Sequence, residues 1–286
     1  MPSLSQDLAS RGTPLEYWFI KVHTGGLAFL VDLIVRRPIG QAEVRVSLWV
    51  RGKGRVARTY ITSWHAAADV SVADCRLNDR RCVGRVDDIE WDLGYDVQAG
   101  RAAPRVPGVS RLHPFDMELV SRPRTVYNGH VTVAGERFAF TDAPGSVTHY
   151  WGRRLGDRWH WISANAFDGS DVTIEAVVFT SRLWGRRPAV TTSYLWRYQD
   201  GRERTVISPW NGLITVSGAL EDYLLVARSP GGTTRLRCQA TPDLYNDLGE
   251  GIHQTLHGSC TIVERGLTDS HAGLEYRVGS RERQTA

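Results

Sequence analysis

Aromatic and polar residues alternate along one short stretch of the chain, from His149 to Gly169, which contains three of the ten tryptophans, two histidines and one asparagine. Successive side chains of a β-strand point to opposite faces of the sheet, so every second residue shares a face. The second half of the stretch therefore predicts one face made of Trp159, Trp161, Ser163, Asn165 and Phe167. An apolar wall with a few placed polar groups is typical of a small-molecule pocket, although a plain hydrophobic core can have the same composition.

Three polar residues are the candidates for catalysis. His149 shares a predicted face with Val147 and Trp151, where it can act as an acid or as an anchor for a substrate; the alternative is a core histidine bonded to a carbonyl group. Asn165 shares the aromatic face, and its alternative role is a buried amide that satisfies a loop. Glu16, on the first predicted strand, can be an acid whose pKa is raised by burial, or one half of a salt bridge at a sheet edge.

Bulky aromatic residues are the candidates for the walls of the pocket. They are Trp18, Trp91, Tyr150, Trp151, Trp159, Trp161 and Trp196. Each of them could equally belong to a hydrophobic core. The faces of Trp and Tyr stabilise a developing carbocation, by about 2 kcal/mol when the site is desolvated.

Composition and charge limit the classes of function. The 286 residues allow one large or two modest domains, and a hydrophobic content of 42% is that of an ordinary globular protein. The net charge is +4, and the arginines are spread along the chain. The basic run from Arg51 to Arg55 lies between two predicted strands, which indicates a solvated hairpin turn. We therefore expect no nucleic-acid partner.

The cysteines and the apolar segments bear on location. No Cys-x-x-Cys pair occurs and no histidine lies at zinc-finger spacing, so we expect reduced thiols, no metal site and a cytoplasmic protein. The most apolar run, from Ala28 to Val35, is too short to span a bilayer. We expect no integral membrane segment, and leave open both a transient contact with a membrane surface and the oligomeric state.

Period-two alternation predicts strands throughout the chain. The clearest case runs from Asp88 to Val97, where apolar residues at odd positions alternate with mostly acidic ones at even positions. No segment shows a sustained helical stripe, and residues 64–74 and 241–251 could hold one short helix each. Many short strands separated by turns predict an all-β sandwich or barrel, and two halves with similar numbers of strands predict a duplicated one.

Interruptions of the strand pattern predict the domain boundaries. The segment from Asp142 to Gly145, which contains a proline and a glycine, is the predicted junction. The chain would then consist of a flexible tail at 1–13, a β-domain at 14–143, a second β-domain at 144–279 and a flexible tail at 280–286. Residues 98–114, rich in proline and arginine, predict a loop such as a flap over a barrel mouth.

Several of these segments resemble, in this order, the superfamily of carotenoid 1,2-hydratase-like and tocopherol cyclase-like proteins. They are Glu16-Tyr17-Trp18, Ile89 to Leu93, Gly129 to Gly135, His149-Tyr150-Trp151-Gly152, Trp159 to Phe167, Gln254 to Ser259 and Leu274-Glu275-Tyr276. The most specific, Trp-x-Trp-Ile-x-x-Asn-x-Phe, looks like a segment of the tocopherol cyclases. The His-x-Trp-Gly motif is similar to that of the hydratases and of the lipocalin-like Diels-Alderases.

The resemblance implies two lipocalin-like antiparallel β-barrels, or half-open sandwiches, packed together. It also implies a greasy, polyunsaturated substrate, held without a metal or redox cofactor. The family's reactions are water addition, proton-initiated ring closure and pericyclic ring closure. In the hydratases a Tyr-x-Asp downstream of the histidine supplies the acid. The corresponding strand here, Val172 to Thr180, has Glu175 and no Tyr-x-Asp, which favours a cyclase or isomerase.

We therefore predict a cofactor-free isomerase or cyclase that closes a ring within a hydrophobic small molecule, a polyunsaturated isoprenoid or polyketide-derived secondary metabolite. His149, Asn165 and Glu16 are the predicted catalytic residues, and the seven aromatic residues above are the predicted substrate contacts. Two alternatives stay open. One is a hydratase, a lyase that adds water to a terpenoid double bond. The other is a lipocalin-like carrier that binds a hydrophobic ligand without converting it.

Overall fold

The chain folds as two antiparallel β-units, each with its own sheet. The structure is a computed structural model that describes residues 3–64, 70–104, 116–183 and 186–277, with side chains other than those of residues 181–189. Unit 1 comprises Met1–Arg101 and Met117–Leu155, and unit 2 comprises Ala102–Asp116 and Gly156–Ala286. The units are described separately below.

The described residues of unit 1 form one short helix and ten strands. In chain order they are α1 (Leu4–Leu8), β1 (Leu15–His23), β2 (Leu27–Arg36), β3 (Gln41–Val50), β4 (Gly54–Ser63), β5 (Val70–Val72), β6 (Cys75–Leu77), β7 (Arg81–Val86), β8 (Ile89–Ala99), β9 (Met117–Val133) and β10 (Glu136–Gly152), with a 3-10 turn at Arg37–Ile39. The sheet order is β4-β3-β2-β1-β10-β9-β8-β7-β6-β5. Because β5 lies close to β2 and β3, and β4 close to β7, the sheet is nearly closed; we call it barrel 1.

Unit 2 repeats this connectivity. Its strands are β11 (Arg158–Ala164), β12 (Val172–Leu183), β13 (Arg186–Gln199), β14 (Arg202–Ser208), β15 (Leu213–Ala219), β16 (Asp222–Ser229), β17 (Gly232–Gln239), β18 (Asn246–Asp247), β19 (Ile252–Ile262) and β20 (Leu267–Arg277), with a 3-10 turn at Pro242–Leu244. The order is β14-β13-β12-β11-β20-β19-β17-β16-β15, with β18 on β19, and β14 lies near β15. This sheet is barrel 2. The predicted all-β architecture of two barrels is confirmed.

The sequence pattern determines which face of each strand enters a core. In β8 the apolar residues Ile89, Trp91 and Leu93 are buried, while Glu90 is exposed, as the alternation predicts. Burial of each large apolar side chain stabilises the barrel by about 1.5–3 kcal/mol. The Trp91 ring lies so close to Gly84 that a Cβ there would meet it at 2.5 Å, so this position of β7 requires glycine.

The domain boundary differs from the predicted one. Asp142 to Gly145 lie inside β10, which is continuous from Glu136 to Gly152 and changes register twice, between Phe140 and Ala143 and between Gly145 and Val147. A β-bulge accommodates the turn-type residues that suggested a junction, because it bends a strand without ending it. The two units divide between Leu155 and Gly156 instead.

The N-terminal segment also differs from its prediction as a flexible tail. Helix α1 begins with a capping box, in which the Ser3 hydroxyl accepts from the backbone of Gln6 and the Gln6 side chain accepts from the backbone of Ser3. Asp7 at its end is only 2% exposed. Within the described residues, the predicted tail is therefore a fixed part of unit 1.

Other sequence predictions have mixed outcomes. The 64–74 region holds strand β5 rather than a helix where the structure describes it, and the 241–251 region holds only the 3-10 turn and β18. Most of the predicted flap, residues 105–114, and the predicted C-terminal tail lie outside the described residues. The four cysteines are buried and form no disulfide bond. No helix among the described ranges has the length and apolar character that a bilayer span requires.

Candidate functional site

Four of the predicted site residues meet at one end of barrel 1. In the β1–β10 register, Trp18 lies opposite His149 and Glu16 lies opposite Trp151, so all four side chains share the inward face. The His149 ring stacks on Trp18 with centroids 4.7 Å apart, and its centroid is 4.9 Å from that of Trp151. Glu16 and His149 are both 0% exposed.

The Glu16 carboxylate is surrounded by hydrogen-bond donors. They are the Ser10 hydroxyl at 3.0 Å, the backbone N–H groups of Arg11 and Thr13 at 3.0–3.1 Å, the Arg37 guanidinium at 2.8 Å and His149 Nε2 at 3.1 Å. Burial acts to raise the pKa of Glu16, but the hydrogen bonds from His149 and Arg11 and the positive charges nearby outweigh it and lower the pKa. Glu16 is therefore an ionised, saturated acceptor.

The His149 imidazole forms a buried hydrogen bond with this carboxylate. Its Nδ1 lies 2.9 Å from the backbone oxygen of Asp7, and its Nε2 faces Glu16 Oε2, so both ring nitrogens meet oxygen acceptors. Burial lowers the pKa of His149, and the hydrogen bonds with Glu16 and Asp7 oppose that effect. The ionised Glu16 carboxylate and the Asp7 backbone oxygen can only accept hydrogen bonds. Both hydrogen bonds of His149 therefore form only when each ring nitrogen carries a hydrogen, that is, when the imidazole is protonated. The parallel indole of Trp18 then faces a cation.

The same residues hold the segment 7–13, here called the N-terminal strap, against barrel 1. Trp18 Nε1 donates to the backbone oxygen of Leu8 at 2.8 Å, and the Arg11 guanidinium lies over the Trp151 ring at 5.0 Å. The carboxylate of Asp7 forms ion pairs with Arg101 at 2.8 Å and Arg122 at 2.6 Å. The observed contacts thus give Glu16, Trp18 and His149 a positioning role towards the strap.

A second group of predicted residues lies on barrel 2, on the sheet face opposite its core. On this face Ser163 pairs with Glu175 on β12, which pairs with Trp196 on β13. Trp161, two residues from Ser163, lies on the same face, whereas Ile162 and Ala164 enter the core cluster. The predicted shared face of Trp159, Trp161 and Ser163 is confirmed. The alternation ends with β11, however, and Phe167 packs in the core instead.

This face carries a buried acid with a phenol donor. The Tyr194 hydroxyl donates to Glu175 Oε1 at 2.9 Å, and the Ser163 hydroxyl donates to Asn165 Oδ1 at 3.1 Å. Glu175 and Ser163 are completely buried, and Asn165 is nearly so. β12 contains no Tyr-x-Asp, as its sequence shows, but its Glu175 still meets a tyrosine, because the neighbouring strand β13 supplies Tyr194.

Sequence reasoning did not select Tyr194, and the signal that could have found it is the register of two strands. Tyr194 and Trp196 share one face of the predicted strand at 190–199, and Glu175 lies opposite Trp196 in the neighbouring strand. Alternation gives the shared face of Tyr194 and Trp196, but the pairing of β12 with β13 must be known to bring Glu175 beside them.

The remaining predicted contacts are fixed by other partners. Trp159 Nε1 donates to Glu275 Oε1 at 2.7 Å, and Trp196 Nε1 donates to Glu203 at 3.3 Å. Trp91 belongs to the core of barrel 1. Tyr150 stacks on Phe19 at 5.7 Å on the face of β10 opposite His149. Within unit 1, Trp91 and Tyr150 therefore have partners outside the Glu16–His149 group.

A cavity of about 650 Å³ lies within unit 2 and contains none of the predicted residues. Its lining comprises Leu195, Arg197, Arg204 to Val206, Trp210 to Gly212, Ala227 and Ser229 to Thr234. Leu195 and Ala227 also belong to the core cluster of barrel 2, so the cavity lies at an end of that barrel's interior. Its volume is within the range of about 300–1,000 Å³ that is usual for small-molecule sites.

The fold defines a tandem lipocalin-like β-barrel protein. Kievitone hydratase from Nectria haematococca has this fold, with a TM-score of 0.68 and 14% identity over 98% of this chain and 93% of that chain. An AttH candidate from Nitrosomonas europaea gives a TM-score of 0.67 and 14% identity, covering 98% of this chain and 97% of that one. CghA with Sch210972 gives a TM-score of 0.62 and 10% identity, covering 93% of this chain and 88% of that one.

The family match is more specific than the fold. Residues 122–195 match the family model described as tocopherol cyclase-like, which confirms the resemblance inferred from the motifs. This segment includes His149, Asn165, Glu175 and Tyr194. Two uncharacterized proteins of Mycobacterium tuberculosis, from strains CDC 1551 and H37Rv, are each 25% identical over 206 residues, or 71% of this chain. The match spans 61% of the length of these relatives.

Proposed function

We propose that the protein is a cofactor-free isomerase or cyclase that closes a ring within a hydrophobic, polyunsaturated isoprenoid or polyketide-derived metabolite. The observation that carries the proposal is the Tyr194–Glu175 hydrogen bond, buried beside Trp161 and Trp196 on the barrel 2 face. The tocopherol cyclase-like match supports it, because the matched segment, residues 122–195, contains Trp161, Glu175 and Tyr194. Free, buried cysteines are consistent with a cytoplasmic location, which remains part of the proposal.

The chemistry follows from the residue types. In a proton-initiated closure, Glu175 in its acid form gives its proton to an alkene carbon, and the hydroxyl of Tyr194 stabilises the carboxylate that forms. The carbocation is then attacked by a nucleophile or a second alkene of the same molecule, and the proton released returns to Glu175. The indoles of Trp161 and Trp196 stabilise the cation meanwhile. No atom is gained or lost, so the product is an isomer of the substrate.

A pericyclic closure would use the same face differently. It needs no proton transfer, only a folded substrate and a hydrogen bond to a carbonyl group that becomes more polar in the transition state. The side-chain NH₂ of Asn165, whose oxygen accepts from the Ser163 hydroxyl, can donate that hydrogen bond. In either version the Glu16–His149 pair holds the N-terminal strap in place, and a direct part for these two residues in catalysis remains a prediction.

The test is turnover of prenylated phenols and linear polyenes by purified protein, followed by liquid chromatography and mass spectrometry. Glu175→Gln and Tyr194→Phe should lower the rate of proton-initiated closure by about 100-fold, which is within the usual contribution of general acid catalysis. Glu136→Gln, at an exposed ion pair of barrel 1, is the control and should keep the full rate. Folded Glu175→Gln and Tyr194→Phe variants that also kept it would overturn the acid role.

The same assay separates the contribution of the barrel 1 residues from that of the barrel 2 residues. If His149→Ala and Trp151→Ala fold and retain full rate, barrel 1 takes no direct part in the reaction. If Asn165→Ala alone abolishes turnover while Glu175→Gln does not, the closure is pericyclic. A product heavier by one water would instead identify the alternative, a hydratase, for which the tyrosine–acid pair is also suited.

A carrier function is the second candidate, and the cavity of unit 2 favours it. A volume of about 650 Å³ is sufficient for a small molecule. A carrier would retain its ligand without converting it. Mass spectrometry of ligand extracted before and after incubation distinguishes the two functions, because only the enzyme changes the retention time or mass of the compound.

A further inference from the structure

The cavity of unit 2 combines an apolar interior with a basic mouth. Leu195 and Ala227 are buried core residues, and Val206 packs against the same core. Along β13, the alternation that directs Trp196 to the outer face directs Leu195 and Arg197 to the inner face. The side of β13 that faces the cavity therefore changes from apolar to charged over two residues.

Two arginines face each other at this mouth. Arg197 on β13 lies directly opposite Arg204 on β14, and they are the only charged residues that line the cavity. Like charges in directly opposed positions of a sheet destabilise it. Arg197 donates to the Thr234 hydroxyl and the Gln199 side chain, and Arg204 donates to the backbone oxygen of Gly231. These acceptors are neutral, and neither arginine forms an ion pair with a residue that the structure describes.

The charges around Arg197 add to the effect. Burial, followed by the positive charges of Arg265 and Arg204, lowers the pKa of Arg197, while Glu264 and Asp200 oppose the shift. A guanidinium stays protonated even so. The direction therefore means that burial first, and the neighbouring arginines second, disfavour this positive group, and an anion bound between Arg197 and Arg204 would relieve both effects.

The rim of the cavity presents an aromatic side chain to solvent. Trp210 is 59% exposed, although it lines the cavity. The turn that carries it is held in place by Asn211, whose side chain accepts from the backbone N–H of Ile207 at 2.6 Å and donates to the backbone oxygen of Thr205 at 3.0 Å. An exposed indole on a fixed turn can cover the apolar part of a ligand at the entrance.

We propose that this cavity binds an amphipathic anion, with a carboxylate between Arg197 and Arg204 and an apolar body against Leu195, Val206 and Trp210. The planar guanidinium groups match a carboxylate by paired hydrogen bonds, which a neutral or cationic head group does not offer. The site is separate from the Tyr194–Glu175 pair, and its occupation does not depend on ring closure there.

The experiment is calorimetric titration of the 286-residue chain with three probes that share a twelve-carbon alkyl chain: laurate, dodecanol and dodecyltrimethylammonium. Laurate should bind at least about tenfold more tightly than dodecanol, a difference of about 1.4 kcal/mol. Dodecyltrimethylammonium should bind more weakly than dodecanol because the arginines repel it. Equal affinity for laurate and dodecanol, or no binding of laurate, would overturn the proposal.

Variants locate the head group. Arg197→Gln and Arg204→Gln should each weaken laurate binding by about tenfold and leave dodecanol binding unchanged. Arg235→Gln is the matched control, since this exposed arginine forms an ion pair with Glu264 and does not line the cavity. Arg204 is exposed, so its replacement tests the site even if loss of Arg197 impairs folding. An equal loss in Arg235→Gln would show general charge attraction rather than a site.

Discussion

Replacing Glu16 by glutamine would test what the barrel 1 cluster contributes to the protein. The variant Glu16→Gln keeps the size of the side chain but removes its charge and turns one acceptor oxygen into an NH₂ donor. The new NH₂ group then faces either His149 Nε2 or the backbone N–H of Arg11. In the native protein this N–H of Arg11 donates to both carboxylate oxygens of Glu16. The ion pair with Arg37 is lost as well.

The expected magnitude follows from these contacts. Removing one partner of a buried, hydrogen-bonded ion pair costs about 3–5 kcal/mol. Glutamine retains one acceptor for several of the donors, so we expect the free energy of unfolding to fall by about 3 kcal/mol, the lower end of that range. For a cooperative unit of roughly 150 residues, this loss corresponds to a decrease in Tm of about 6–12 °C.

Urea unfolding followed by circular dichroism and tryptophan fluorescence measures the effect. The control is Glu136→Gln, whose carboxylate forms an exposed ion pair with Lys53 and should contribute less than about 1 kcal/mol. Because the pKa of Glu16 is lowered below its usual 4.5, its contribution is complete above pH 4.5 and is lost as the pH falls through the folded-state pKa. A Glu16→Gln variant as stable as Glu136→Gln at pH 7 would refute the reasoning.

Three further predictions concern other parts of the chain. Burial raises the pKa of Cys75 to about 11 and of Cys82 to about 12, so both thiols should resist a disulfide reagent at pH 8 and react at the rate of a free thiol only in urea. Gly129→Ala should destabilise unit 1 by about 2 kcal/mol or more, because the φ of Gly129 is +139° and a Cβ there would lie 2.1 Å from a backbone oxygen of the neighbouring strand. The control is Gly26→Ala, whose Cβ would meet no atom within 4 Å and which should change the stability little. Equal losses of stability in the two variants would contradict the steric argument. Burial lowers the pKa of His160 below its usual 6.5, so the free energy of unfolding should decrease as the pH falls below 6.5. His160→Phe should remove this contribution to the pH dependence, because a phenyl ring does not titrate.

Much of the strand content could be predicted from the sequence, because alternation is a local property. The alternation in β8 was sufficient to place Ile89 and Trp91 in a core. The errors occurred where a turn-type residue lies inside a strand. Asp142 has a φ of +47° and lies next to a register shift of β10, a combination that a sequence pattern cannot distinguish from a loop.

The candidate site shows the same division more sharply. Alternation along the chain predicts that Trp161 and Ser163 share a face, that His149 and Trp151 share another, and that short strands are frequent. The contact of His149 with Glu16, 133 residues away, and that of Tyr194 with Glu175 become visible only in the folded protein. The physical reason is that alternation within a strand follows from its own backbone, whereas the pairing and register between strands depend on packing across the whole sheet.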